Sequence, residues 1–184
     1  MTVKFGIDRL LADPELRKPL AGKRVALVAH PASVTADLLH SLDALIAAGI
    51  NVTSAFGPQH GLKGDKQDNM VETADELDPL YNIPVFSLYG EVRRPTGQMM
   101  STFDVILVDL QDLGCRIYTF VTTLLYLLEA ASGTGKSVWV LDRPNPAEDD
   151  YHQYQKEYIL HLNKQYTIFH LGQFYNLGSI LFES

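Results

Sequence analysis

The sequence predicts an α/β protein, with a doubly wound, mainly parallel sheet covered by helices on both faces. Three observations carry that expectation. Short apolar runs recur along the chain and turn polar or Gly/Pro-rich at their C-terminal ends, as buried parallel strands do. Amphipathic helical patterns alternate with them. The connections are short, which imposes right-handed crossovers. The expected strands are residues 24–30 (RVALVAH), 51–57 (NVTSAFG), 84–89 (PVFSLY), 105–109 (VILVD) and 137–142 (SVWVLD). Between the first two, residues 36–48 repeat apolar side chains at Leu38, Leu39, Leu42, Leu45 and Ile46, with Thr35 as N-cap and Gly49 past the end. Residues 119–132 repeat the pattern with Leu124, Leu125, Leu127 and Leu128, closing at Gly133.

Composition removes several function classes. A chain of 184 residues can bury about 70% of its unfolded surface as one compact domain, so no metal or disulfide staple is required. Apolar residues at 46% and charged residues at 20% are ordinary globular usage, which excludes a disordered chain. Lys and Arg total 15 against 22 Asp and Glu, a formal net charge of -7, so a nucleic-acid partner is not expected. Cys115 stands alone and can form no disulfide within the chain. The N-terminus lacks an apolar h-region, and no apolar run is long enough for a membrane span. As given, the chain reads as soluble and cytoplasmic.

Organisation changes near residue 147. Residues 1–146 carry the strand–helix alternation, whereas residues 151–184 hold eight of the 17 Phe and Tyr residues and three of the six His. An amphipathic helix over 151–163 and an edge strand over 166–171 are the elements expected there. Residues 147–184 therefore read as a divergent or truncated C-terminal segment without a core of its own.

In doubly wound sheets ligands bind beyond the carboxyl ends of the strands, and here the polar residues concentrate in those loops. His30 to Ser33 follow the first strand, and Gly57-Pro-Gln59-His60-Gly61 the second, running on to Glu72. Arg94 lies in the third loop, Asp109 to Thr119 form the fourth, and Asp142-Arg143-Pro-Asn145-Pro146 the fifth. Asp, Asn, Pro and Gly are also ordinary turn formers. The densest group is Asp109, Asp112, Arg116 and Tyr118: carboxylates beside a fixed guanidinium stay ionised and oriented, which suits holding sugar hydroxyls or a developing cation. The same residues could equally be an Asp–Arg pair bracing the turn. His60 could serve as acid, base or hydrogen-bond donor, or as a structural donor.

Three other features lead elsewhere. Residues 133–137 (GTGKS) resemble the end of a P-loop, but Ala130 stands where its first Gly belongs, and the segment joins a helix to a strand rather than a strand to a helix. No Gly-x-Gly-x-x-Gly follows the first strand, so a dinucleotide cofactor is not expected. His152, His161 and His170 are spaced by nine, which fits no metal-ligand pattern.

Seven runs taken in order carry a family resemblance: residues 6–11 (GIDRLL), 31–35 (PASVT), 56–61 (FGPQHG), 87–90 (SLYG), 94–96 (RPT), 109–119 (DLQDLGCRIYT) and 141–146 (LDRPNP). Over residues 5–146 the chain resembles the DUF1343 family, which includes the NamZ-type exo-β-N-acetylmuramidases. The resemblance implies a Rossmann-like N-terminal domain and release of N-acetylmuramic acid from non-reducing ends of peptidoglycan fragments in cell-wall recycling, without a nucleotide cofactor; no other cofactor and no metal is expected. It makes a muropeptide or muramyl sugar the expected partner. On that reading Asp109, Asp112, Glu72, Gln59 and His60 are the catalytic candidates. Arg116, Tyr118, Asp142, Arg143, Asn145 and Arg94 are the substrate-binding ones.

Two departures qualify the likeness. The family motif carries Glu, a candidate acid/base, where this chain has Gln59. Members are longer, and the residues after Pro146 are not expected to match them. A muramyl-sugar-binding protein impaired in turnover is therefore the alternative function, and an open cleft favours self-association.

Overall fold

A computed structural model describes residues 4–58, 61–62, 75–89, 92–111 and 119–143, with the backbone of 168–170. The chain opens on helices α1 (Gly6–Ala12) and α2 (Pro14–Arg17), where the Asp13 side chain caps α2 by accepting from the Glu15 N–H. Strand β1 (Val25–Ala29) follows, buried along its whole length, and then α3 (Ser41–Ala47) and β2 (Val52–Gly57). A two-residue strand β3 (Glu76–Leu77) precedes β4 (Pro84–Ser87), α4 (Gly97–Met100) and β5 (Val105–Asp109). The last units are α5 (Phe120–Ala131), β6 (Ser137–Val140) and β7 (Ile168–His170).

Among the described residues these strands form one seven-stranded sheet in the order β3-β4-β2-β1-β5-β6-β7. Every neighbouring pair is parallel except β3–β4. The fold is the doubly wound α/β class expected from the strand–helix alternation. The edge strand expected over 166–171 is present as β7, parallel to β6, so this part of the tail joins the main sheet.

Alternation divides the sheet between two cores. On one face Val25, Leu27, Leu107, Trp139 and Leu141 pack with Ile7 and Leu10 of α1 and Leu42 and Leu45 of α3. On the other, Ala26, Val28, Ile106, Val108, Val138 and Val140 pack with Met99, Met100, Leu124, Leu127 and Leu128 of α4 and α5. We refer to these as the α3 face and the α5 face. The order of strand addition reverses between β1 and β5, the switch point where the β1 exit turns to one face and the β5 exit to the other.

The helix expected over 36–48 begins only at Ser41. Leu38 and Leu39 fit the apolar repeat but are 80% and 46% exposed, and Leu38 takes a φ of +64°. A turn replaces the first helical winding: Thr35 accepts from the Leu39 N–H through its side chain, and His40 caps α3 by accepting from the Leu42 N–H. Thr35 thus caps a turn and not the helix. The GTGKS segment joins α5 to β6, with Gly133 and Gly135 at φ +69° and +70°. These left-handed conformations serve a helix-to-strand turn.

Candidate functional site

At the carboxyl edge Asp109 closes β5 and is entirely buried. Its Oδ1 accepts from Arg143 Nε at 2.6 Å, and its Oδ2 accepts from Arg143 Nη2 at 2.9 Å and from the Ser41 hydroxyl. Arg143 Nη2 also donates to the Val34 carbonyl at 2.7 Å, and its guanidinium lies 5.1 Å from the Phe5 ring centre. The Ser33 hydroxyl donates to the Asp109 carbonyl. One charge-assisted bidentate pair thereby joins β5, the β6 exit, the β1–α3 turn and the start of α3.

Helix α1 closes the same corner. The Gly6 N–H donates to the Asp142 carbonyl at 2.8 Å, and a Cβ on Gly6 would stand 2.5 Å from the Asp142 nitrogen. Only glycine lets the helix start approach the β6 exit this closely. Asp8, two residues on, accepts from the Ala36 N–H and ties α1 to the β1–α3 turn. The amides of Ser33 and Val34 are spent within that turn, on the carbonyls of His30 and Ala32, and are not presented to a phosphate. The α3 side of the switch point is thus filled by protein.

The α5 side is arranged differently. Phe56, Val28, Val108 and Val140 are in register across β2, β1, β5 and β6. Two residues on, and therefore on the same face, stand Pro58, His30, Leu110 and Asp142. The His30 ring lies against Phe120, the first residue of α5, with ring centres 5.5 Å apart. Leu110 packs on the α5-face core. The ladder continues past β6 through the Leu141 N–H to the Val108 carbonyl, so Asp142 keeps the parity of Val140 while Arg143 turns to the α3 face. Asp142 is half-buried, and burial pushes its carboxyl up to about 7, opposed by a hydrogen bond from the Arg143 backbone.

Residues 25–157 match the family model of the N-terminal domain of exo-β-N-acetylmuramidase NamZ. The chain belongs to this family. It is 38% identical over 185 aligned residues to the peptidoglycan β-N-acetylmuramidase NamZ of Bacillus subtilis (strain 168), a match covering 95% of this chain and 44% of that relative. A DUF1343 family protein of Bacteroides fragilis NCTC 9343, solved by crystallography, superposes with a TM-score of 0.68 at 39% identity, over 78% of this chain and 35% of its own. A second from the same organism gives a TM-score of 0.63 at 29% identity, over 79% and 36%. The chain thus spans less than half the length of these NamZ-family relatives. Similarity does not stop at Pro146 as expected, since the family match runs to residue 157 and the Bacillus relative aligns with 95% of the chain.

The NamZ family is a glycosidase family, and the residues expected to serve its chemistry are placed unevenly. Asp109 and Arg143 meet each other, enclosed, so Asp109 lies inside the protein rather than on the rim: the last residue of a central strand is still covered by the turns that follow its neighbours. Arg94, expected at the substrate, pairs with Glu129 and lies 4.1 Å from the Tyr126 ring centre. Those residues sit on the second and third turns of α5, about 9–14 Å along the helix from its start at the carboxyl edge. Gln59, His60, Glu72, Asp112, Arg116, Tyr118 and Asn145 lie outside the described residues. Sequence reasoning did not assign site roles to Ser33, Ser41 and Asp8. Ser33 and Asp8 do fall in the PASVT and GIDRLL runs, which was the available signal.

The raised Asp142 carboxyl has a consequence for stability. An unfolded Asp ionises near pH 3.9, so between there and about 7 the unfolded chain has released a proton the folded chain keeps. Stability from this group is full below about pH 4, declines as pH rises and levels off above about 7. Asp142→Asn should remove that slope, raising stability at pH 8 relative to the parent by about 1–4 kcal/mol. Denaturant titrations at pH 4 and pH 8 check this; parallel pH profiles for parent and variant would contradict it.

Proposed function

We propose that this chain binds the terminal N-acetylmuramic acid of peptidoglycan fragments at the carboxyl edge of its sheet, on the α5 face, and acts in exo-β-N-acetylmuramidase hydrolysis during cell-wall turnover. The observation that carries the reading is the 38% identity, over 95% of the chain, to a relative named for that activity. The row His30, Leu110 and Asp142 supports it locally. A sugar ring offers apolar C–H faces and hydroxyls together, and this row sets an apolar side chain between two hydrogen-bonding groups. The test is release of free N-acetylmuramic acid from a defined N-acetylmuramyl-N-acetylglucosamine disaccharide, with calorimetric binding of the same compound in parallel. Release supports the reading; neither release nor binding at millimolar concentration overturns it. Gln59 favours one second reading, a protein that binds the muramyl sugar without turning it over, for which binding without release is the expected result.

A further inference from the structure

Glycoside hydrolysis needs a group that gives a proton to the departing oxygen, and commonly a second carboxyl group. Position 59 holds an amide in this chain, which cannot give and reclaim a proton near neutral pH. Asp109 is withdrawn as well, because it is wholly buried and both its oxygens are held by Arg143 and Ser41. One residue past Leu141 the strand parity brings Asp142 to the α5 face, in the row that continues Phe56, Val28, Val108 and Val140. His30 stands in the same row two strands away, about 10 Å across the sheet.

We propose that Asp142 is the proton donor of the muramyl site, with His30 on the opposite side of Leu110 as a hydrogen-bonding partner to the same sugar. This rests on the function proposed above and names the group that performs it. As the bond between the anomeric carbon and the glycosidic oxygen breaks, its electron pair goes to the oxygen, which takes the Asp142 proton and leaves as the alcohol. Water then adds its hydroxyl to the anomeric carbon and returns its proton to the Asp142 carboxylate. One water is consumed and the acid is regenerated.

The surroundings suit such a role. The backbone of Asp142 is pinned by the Gly6 N–H, and its Oδ2 is enclosed while the residue as a whole is half-buried. The guanidinium of the adjacent Arg143 is committed to Asp109. Its carboxyl, raised by burial to about 7, retains a proton at the pH where a donor is needed. His30 Nδ1 accepts from the Ala32 N–H at 3.4 Å, which directs the proton of the neutral ring to Nε2.

The test uses the unmodified chain first. Carboxyl carbon NMR follows the Asp142 titration alone and with saturating N-acetylmuramyl-N-acetylglucosamine. The resonance should titrate near neutrality and shift its midpoint when the disaccharide binds. Asp142→Asn, close to isosteric, should retain binding and lower N-acetylmuramic acid release by about 10²–10⁴-fold, abolishing the fall in rate as pH rises through the carboxyl's range. A chain that binds the disaccharide with an unmoved Asp142 resonance overturns this assignment and leaves the proposed function standing. So does a variant that keeps both its rate and the alkaline limb. A chain that does not bind the disaccharide removes the proposed function, and this inference with it.

Discussion

Replacing Arg143 by Met should lower folding stability by about 3–5 kcal/mol, the loss expected when one member of a buried ion pair is removed. Arg143 and Asp109 side chains are only 4% and 0% exposed, so the charge left on Asp109 has no solvent to turn to. Met preserves most of the aliphatic stem beside Phe5, which confines the change to the guanidinium and its bonds. Those bonds include one to the Val34 carbonyl, so the β1–α3 turn loses a tie as well. Arg143→Lys should recover little, because an ammonium cannot span both carboxylate oxygens and the carbonyl from a single point. The double variant Arg143→Met with Asp109→Leu should recover much of the loss, since a buried pair replaced by apolar groups of similar volume is often close to neutral. Denaturant midpoints at constant slope measure all three. A loss below about 1 kcal/mol for Arg143→Met would mean that water reaches Asp109 and that the corner is not sealed.

The same corner shows what was legible in the sequence and what was not. β1, β2, β5 and β6 announce themselves because each is an apolar run buried between two helical layers, and their carboxyl-end loops follow from the topology. That an arginine would hold Asp109 was one of two readings of its loop, with Arg116 as the nearby choice. The arginine that the structure places there is Arg143, 34 residues away, and local spacing carries no signal for a contact made through sheet order. The helical repeat overextends the start of α3, because Leu38 and Leu39 satisfy it while facing solvent. An apolar pattern records which residues could be buried, not which are. Arg94 belongs to a carboxyl-end loop, and its long side chain reaches along α5 to Glu129. The division of the carboxyl edge between two faces is within reach of the sequence. Once 137–140 is a strand, parity alone puts Asp142 and Arg143 on opposite faces, and only the sealing of one face by Ser33, Ser41 and α1 required the structure.

Changing Gln59 to Glu should raise release of N-acetylmuramic acid by about 10²–10⁴-fold, the range that a positioned acid or base supplies. The expectation rests on the resemblance of residues 56–61 to the family motif, in which Glu occupies this place, and on the difference between an amide and a carboxyl. Gln can hold a sugar hydroxyl by hydrogen bonds in the same way, so binding should change little while turnover changes greatly. That split separates an acid–base role from a merely adhesive one, because a lost contact weakens binding and rate together whereas a lost proton relay lowers the rate alone. A second titrating carboxyl should also add a limb to the pH–rate profile, since the new group must be in one protonation state while Asp142 is in the other. The reciprocal change, Glu to Gln at the matching position of a full-length relative, should lose activity by a similar factor. If the relative keeps its rate with Gln in place, position 59 carries no proton in the reaction, and Gln59 does not set this chain apart from its relatives.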